Sequence, residues 1–351
     1  MSKLSIHFQQ IPANILAIVN ATPIKWLKVV DPPVNDPFRP EIKVIGRVYH
    51  PEDMDNDLIR RGAEGAEHYF NMNRGYYQFR QYVQCWEGPN EPPVKMPWQR
   101  EMLMVFTRRW VELMHAHGYK VAVWSLSVGW PNEHGDVLEL APCLENADFL
   151  SLHEYSAPEM SSDQGWLCLR YRRTVDILRQ NGYRVPPILI TECGIDGGVI
   201  NRPKTGWKTF GNREHYQQSL QWYDSEIARD DYVECATIFT SGPYSDWVDF
   251  DFDEPLSRWL ASQYAQPPTD LERIIGDAMQ EFIIDWNPSY AFPKAAIPLG
   301  RLPQSEEQRI DIDGTRYAYQ AFRHPKEPEV QHGVYCIEND WGNLKWFTRE
   351  N

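Results

Sequence analysis

Short apolar runs alternate with longer stretches of helical period through the first 265 residues. The runs that read as strands are Leu4 to Phe8, Trp26 to Val30, Ile42 to Tyr49, Tyr82 to Trp86, Lys120 to Leu126, Phe149 to His153, Ile188 to Thr191 and Cys235 to Thr240. Between them, Glu101 to His117 carries Met102, Val105, Phe106, Trp110 and Leu113 on one helical face, and Gly118 supplies its stop. Leu167 to Gln180, His215 to Arg229 and Pro255 to Tyr264 repeat the helical period, each after a candidate strand. Eight strands with interleaved helices over this length predict an α/β fold, a (β/α)8 TIM barrel. A doubly wound open sheet is the competing arrangement of the same units.

After Ala265 the pattern changes. Pro267 and Pro268 make a stiff joint, and Thr269 with Glu272 forms a capping-box signature. Leu271, Ile274, Ile275, Ala278, Met279, Phe282 and Ile283 then follow at helical spacing, so a helix from Thr269 to Ile284 is expected to dock its apolar stripe on the barrel. A Pro-studded connector runs from Asn287 to Pro303. Asp313-Gly314 suits a type I′ hairpin turn, and a second strand pair flanks Asn339 to Asn343. The expected organisation is a barrel over 1–265, an amphipathic helix and connector over 266–303, and a small antiparallel β accessory module over 304–351.

Composition removes whole classes of function. A net charge of −14 leaves no basic surface for phosphates, which excludes nucleic acid as a partner. No apolar run approaches the roughly 18 to 20 residues a bilayer demands, so no membrane span is expected. At 13% aromatic, with 14 Trp and 18 Tyr, the chain has rings enough for a core and for a ligand. The N-terminal stretch lacks the apolar core and cleavage site of a secretory signal, so the readings are a cytoplasmic protein, one released by another route, or a processed precursor that has lost its signal. The six Cys include no CxxC pair and read as reduced core thiols; Cys193, beside Glu192, should point away from it if strand alternation persists. There is no Walker loop, GxGxxG, HExxH or GxSxG, and no cofactor is expected.

The chemistry therefore has to come from the strand ends, where TIM barrels build their active sites. Strand 4 runs out as YVQCWEGPNEP, setting Asn90 and Glu91 at its C-terminal end, and strand 7 as PPILITECGID, setting Glu192 directly after an apolar run. Two carboxylates delivered to one rim carry a desolvation cost that Gln or Ser would avoid, which points to acid/base or nucleophilic work. The competing structural reading is a pair of Glu bridging to Arg or capping a helix.

The Asn-Glu-Pro after strand 4, the Glu ending strand 7 and His153-x-Tyr155 at the end of strand 6 together resemble the (β/α)8 glycoside hydrolases of clan A, over about residues 1 to 265. The resemblance implies Glu91 as general acid/base and Glu192 as nucleophile of a retaining double displacement on a β-linked polysaccharide or oligosaccharide. It implies Asn90 as the holder of the sugar 2-hydroxyl, Tyr155 as the hydroxyl positioning the nucleophile, His153 as a pocket residue and Arg47 as the neighbouring cation. The clan commonly ends strand 8 with Trp, whereas this chain has Ile238-Phe239-Thr240. Trp86, Trp124, Trp130, Trp207 and Trp247 stand on or beyond strand ends and are candidates to stack on sugar faces, with Trp86 and Trp124 the most structural in placement. Two other readings compete: a carbohydrate-binding barrel without turnover, and a metal-dependent barrel hydrolase using His7, His50 and His153. The second lacks an HxH pair on strand 1, and the acidic run Asp249, Asp251, Asp253, Glu254 lacks EF-hand spacing, so no metal is expected.

Overall fold

A computed structural model describes residues 2–162, 167–200, 202–264, 291–296, 299, 301–305, 307–324 and 327–350. They fall into two compact units, Met1–Ala265 and Gln266–Asn351. The first is a closed barrel of eight parallel strands in sequence order: β1 (Leu4–Phe8), β2 (Trp26–Val30), β3 (Lys43–Arg47), β4 (Val83–Glu87), β5 (Val121–Leu126), β6 (Phe149–Ser156), β7 (Ile188–Ile195) and β8 (Val233–Ser241). The TIM barrel is thus the fold, and the open-sheet alternative is removed by the pairing of β1 with β8.

The barrel interior is built in layers, and side-chain alternation sets them. Trp26, Ile45, Cys85, Ala122, Leu189 and Cys235, one from each of six strands, pack with Phe149 of β6 into an apolar floor separate from the main core. Two residues further along the same strands stand Lys28, Arg47, Glu87, Ser151, Thr191 and Thr237, all buried. Here Glu87 gathers most of the polar groups. The Ser151 hydroxyl donates to Glu87 Oε1 at 2.8 Å, the Thr191 hydroxyl donates to the same atom at 2.5 Å, and the Thr237 hydroxyl donates to the Thr191 carbonyl at 2.5 Å. The strand residues of opposite parity, such as Leu27, Val29, Val44, Trp86 and Val123, face outward into the main core under the helices.

Helices cover that outer face. The helix from Pro97 to Ala116 starts on a proline, buries Leu103, Phe106, Trp110, Val111 and Met114, and ends before Gly118 at φ 80°, a left-handed position that suits glycine. The helix from Arg170 to Gln180 is anchored from the sheet: Glu154, pointing outward from β6, accepts from the backbone N–H groups of Leu169 and Tyr171 at 2.8 and 3.1 Å and from the Tyr223 hydroxyl at 2.6 Å. A carboxylate there complements the positive end of the helix and three donors that would otherwise be orphaned.

β6 and β7 extend past the expected ends at His153 and Thr191 because their pairing continues through His153↔Glu192, Glu154↔Cys193 and Tyr155↔Gly194. Register shifts on both flanks of β7 let Glu192 face inward although Thr191 before it does so too. Cys193 is fully buried in the outer core, and all six cysteines are free and buried.

In the second unit, strands Gln308–Ile312, Thr315–His324, Glu327–Ile337 and Lys345–Glu350 form an antiparallel sheet in sequence order, and Leu302–Pro303 pairs with the second of them. The hairpin turns at Asp313 and Gly314 with φ 50° and 78°, the two positive values a type I′ turn requires. Phe292, from a helix at Ala291–Ala296 inside the expected connector, packs with Ala318, Phe322 and Val334. A proline in the first turn of that helix is compatible with it, so within the expected connector Ala291–Ala296 forms a short helix. The expected helix from Thr269 to Ile284 lies outside the described residues. Among the described residues, no helix is long and apolar enough to cross a membrane.

Candidate active site

At and just above the polar layer, six strands and their C-terminal ends bring the titratable groups into one cage. Glu192 of β7 is its centre. Its Oε1 lies 3.0 Å from Lys28 Nζ, 3.7 Å from Arg47 Nη1 and 3.8 Å from His7 Nδ1. Its Oε2 accepts from the Tyr155 hydroxyl at 2.8 Å and lies 3.5 Å from His153 Nδ1. The same His153 nitrogen is 2.9 Å from Glu91 Oε1, and Arg47 donates to the Asn90 side-chain oxygen. One oxygen each of Glu91 and Glu192 and the ring nitrogen of His153 lie within 4.8 Å of one another.

Exposure separates the two carboxylates: the Glu91 side chain is 31% exposed and that of Glu192 7%. Glu91 is reachable from the mouth of the barrel, whereas Glu192 sits against its polar wall. Glu91 also holds φ 44°, a left-handed conformation uncommon outside glycine, and its N–H donates to the Ser125 carbonyl at 3.0 Å. The turn that aims this carboxylate is therefore over-determined by its surroundings, as strained positions at functional sites are.

The charges set distinct protonation states. Burial alone would raise the Glu192 carboxyl, but His153, Lys28 and Arg47 outweigh it and hold the group far below the usual carboxylate range. Glu87 follows the same logic, with burial overcome by Lys28 and His153. Burial would lower His153, yet Glu192, Glu87 and Glu91 around it outweigh burial and push its imidazole up. Glu91 is in turn drawn below its ordinary value, burial and the Glu192 charge opposing, the bond from His153 prevailing. His7 is lowered, first by burial and then by Lys28, and stays neutral. The Tyr155 phenol is pushed up by burial and by Glu192, so it remains a donor.

Of the residues expected from the sequence, Asn90, Glu91, Arg47, His153, Tyr155 and Glu192 are brought together. The tryptophans divide. Trp130 and Trp247 are half-buried at the rim, Trp247 against Phe239 and Phe250 with ring centroids 5.1 and 5.5 Å away and Lys204 over its face. Trp86 is corrected: it has the outward parity of β4 and is buried against Tyr77, ring centroids 4.9 Å apart. Trp207 is corrected as well. It stacks on Tyr216 at 5.1 Å with an interplanar angle of 8°, donates its indole N–H to the Asp251 carbonyl, and is 4% exposed, so no face is free for a sugar. Trp124, turned outward by φ 85°, donates to Cys143 Sγ. Phe239 takes the end of β8, where it packs on His7 and Tyr155.

Sequence reasoning missed Lys28 and Glu87, and read His7 only as a candidate metal ligand; all three are buried beneath the carboxylates. Glu91, His153 and Glu192 also offer three ligand atoms within 4.8 Å of one another, but Lys28 and Arg47 beside Glu192 already balance its charge, which disfavours a cation there. The arrangement offers a buried anion facing a more exposed carboxyl–imidazole pair.

No protein-family model and no curated protein matches the chain. Among solved structures, it is similar to a GH128 (subgroup I) endo-β-1,3-glucanase from Amycolatopsis mediterranei, at 13% identity over 76% of this chain and 100% of that one, with a TM-score of 0.50. An endo-β-1,4-mannanase from Thermotoga petrophila is 12% identical over 99% and 97% of the two chains, with a TM-score of 0.49. A glycoside hydrolase family 5 enzyme from Prevotella bryantii is 12% identical over 73% and 87%, with the same score of 0.49. At such identity the likeness to the glucanase is one of fold: this chain has the (β/α)8 barrel on which that glycoside hydrolase is built.

Proposed function

We propose that the protein is a retaining glycoside hydrolase acting on a β-linked glycan, with Glu192 as nucleophile and Glu91 as general acid/base. The observation that carries this reading is the approach of the two carboxylates, with oxygens within 4.8 Å. Retaining enzymes hold their carboxyl groups about 5 to 5.5 Å apart, whereas inverting ones leave about 6.5 to 9.5 Å for a water. The low Glu192 pKa supports its role as the anion, whereas His153 draws Glu91 below its ordinary value, so the proton for the acid step has to come through the Glu91–His153 pair. Glu192, ionised and bonded at both oxygens, attacks the anomeric carbon; the glycosidic C–O bond breaks, and Glu91 gives the leaving oxygen the proton it shares with His153. In the second step Glu91 takes a proton from water, which attacks the same carbon, and Glu192 departs as carboxylate. Asn90, oriented by Arg47, is the candidate donor to the 2-hydroxyl, and Trp130 and Trp247 are the candidate platforms.

Screening β-1,3- and β-1,4-glucans, mannan and chitin finds the substrate class, and azide then assigns the roles. With an activated β-glycoside, Glu192→Gly is expected to give the α-glycosyl azide by direct displacement, and Glu91→Ala the β-azide through the trapped intermediate. Reversed products exchange the assignments. Full activity in either variant removes that Glu from the mechanism.

A further inference from the structure

Lys28 is a charged side chain in the middle of a five-residue strand with no exposure at all, and its ammonium is not placed to meet a substrate. It lies 2.7 Å from Glu87 Oε2 and 3.0 Å from Glu192 Oε1, so it bridges the polar layer to the carboxylate above. Glu87 is held in turn by Ser151 and Thr191 through its other oxygen. The ammonium is therefore clamped from below by an anion that never reaches the cavity. Around Glu192 the remaining titratable groups are His7 on β1, Arg47 on β3, Glu91 after β4, and His153 and Tyr155 on β6. They divide between its two oxygens: Lys28, Arg47 and His7 stand nearest Oε1, Tyr155 and His153 nearest Oε2. Since His153 also touches Glu91, Oε2 is the oxygen turned toward the acid/base.

We propose that Lys28, clamped by Glu87, is a positioning residue for the nucleophile: it fixes Oε1 as the oxygen that does not react, keeps Glu192 ionised and leaves Oε2 to attack. Lys28 gains and loses no proton in either step. Its charge also stabilises Glu192 as the carboxylate departs in the second step. This rests on the reading of Glu192 as nucleophile, but the contact itself is testable without turnover.

Lys28→Met alone strands the Glu87 carboxylate without its cation, so the informative protein is the full chain carrying K28M together with E87Q, with E87Q alone as its control. Infrared difference spectra of each protein against its E192Q counterpart follow the protonated Glu192 carbonyl band through an acid titration. A cation beside a carboxylate lowers its pKa by about 1 to 3 units, so the Glu192 midpoint should rise by that much in K28M/E87Q. In E87Q, where Lys28 serves Glu192 alone, it should not rise. The acid limb of kcat/KM on the best β-glycoside should move the same way, which a merely structural loss would not produce. Coincident Glu192 titrations in wild type and K28M/E87Q overturn the proposal, and so does an equal rise in E87Q. Should K28M/E87Q lose its near-ultraviolet dichroism, K28R, which keeps the charge, must titrate Glu192 as wild type does, and a raised midpoint there overturns the proposal. A shifted titration in a protein that cleaves no β-glycan would instead remove the hydrolase reading and leave the Lys28 contact standing.

Discussion

Replacing Trp207 by Ala separates the two uses a tryptophan near this rim can have. The ring is 4% exposed, lies flat on Tyr216 and gives its N–H to the Asp251 carbonyl at 3.2 Å. Truncating so large a buried side chain costs about 3 to 5 kcal/mol, from lost transfer energy and the cavity left behind. For a domain of roughly 150 to 250 residues each kcal/mol moves Tm by about 2 to 4 °C, so a fall of about 6 to 20 °C is expected. Urea unfolding followed by tryptophan fluorescence gives the free energy directly, and isothermal titration of a bound oligosaccharide to the Glu192→Gln protein gives affinity without turnover. Trp207→Ala should lose stability with little change in affinity. Trp247→Ala, half-buried under Lys204, should show the opposite balance, with affinity weakened about tenfold, or 1.4 kcal/mol. A Trp207→Ala protein that melts within about 2 °C of wild type yet binds glycan poorly would refute the packing argument, since a ring stacked and hydrogen-bonded as observed cannot be removed at so small a cost.

Tyr155→Phe removes the 2.8 Å bond to Glu192 Oε2 while Lys28 still holds Oε1, so kcat/KM should fall about 10- to 100-fold, the value of one hydrogen bond to a charged group. Unchanged kinetics would show that the hydroxyl does not orient the nucleophile. Because the folded-state pKa of Glu192 lies below its ordinary 4.5, its ionisation stabilises the fold above that pH, and the contribution is lost as pH falls toward the folded value. The stability advantage of wild type over E192Q should therefore shrink on acidification below about pH 4.5; chemical denaturation at pH 7 and pH 3.5 measures it, and a constant difference would contradict the assigned charge state. Glu154→Leu strips two backbone N–H groups and the Tyr223 hydroxyl of their acceptor and should cost about 2 to 4 kcal/mol, read as a lower urea midpoint. A midpoint equal to wild type would mean those donors find other partners.

Much of the barrel was legible because parallel strands buried on both faces appear as unbroken apolar runs, and eight of them stand out between Leu4 and Thr240. The ends of β6 and β7 were not legible, since the polar residues that seemed to terminate them, His153 and Glu192, continue the ladder as paired neighbours. Asn90, Glu91 and Glu192 were readable as candidates from their places at strand ends, and His153 and Tyr155 through the resemblance to clan A glycoside hydrolases. Lys28 and Glu87 were hidden for the opposite reason, being inside or at the edge of apolar strands where a charge looks like an interruption. Parity held the missing signal. Cys85 and Glu87 share a face, so Trp86 between them had to point to the helices, and Lys28 had to share the face of Trp26. Trp207 needed tertiary knowledge, because only the approach of Tyr216 and the Asp251 carbonyl removes its free face.

The polar layer also bears on how the chain reaches this state. His7, Lys28 and Arg47 belong to the first three strands, whereas Glu192, their common partner, arrives 164 residues after Lys28. A partly assembled sheet without β7 gathers these groups with Glu87 as the nearby anion, and its lumen stays open to water on one side. The charges are then stripped of solvent only when β7 and β8 join and β8 closes against β1, at the far end of the chain's loop-closure cost. Pairs completed so late are expected to be absent from the folding transition state. They are expected to act on the rate of unfolding rather than of folding, so the cage around Glu192 is expected to serve also as a latch that keeps the closed barrel from opening.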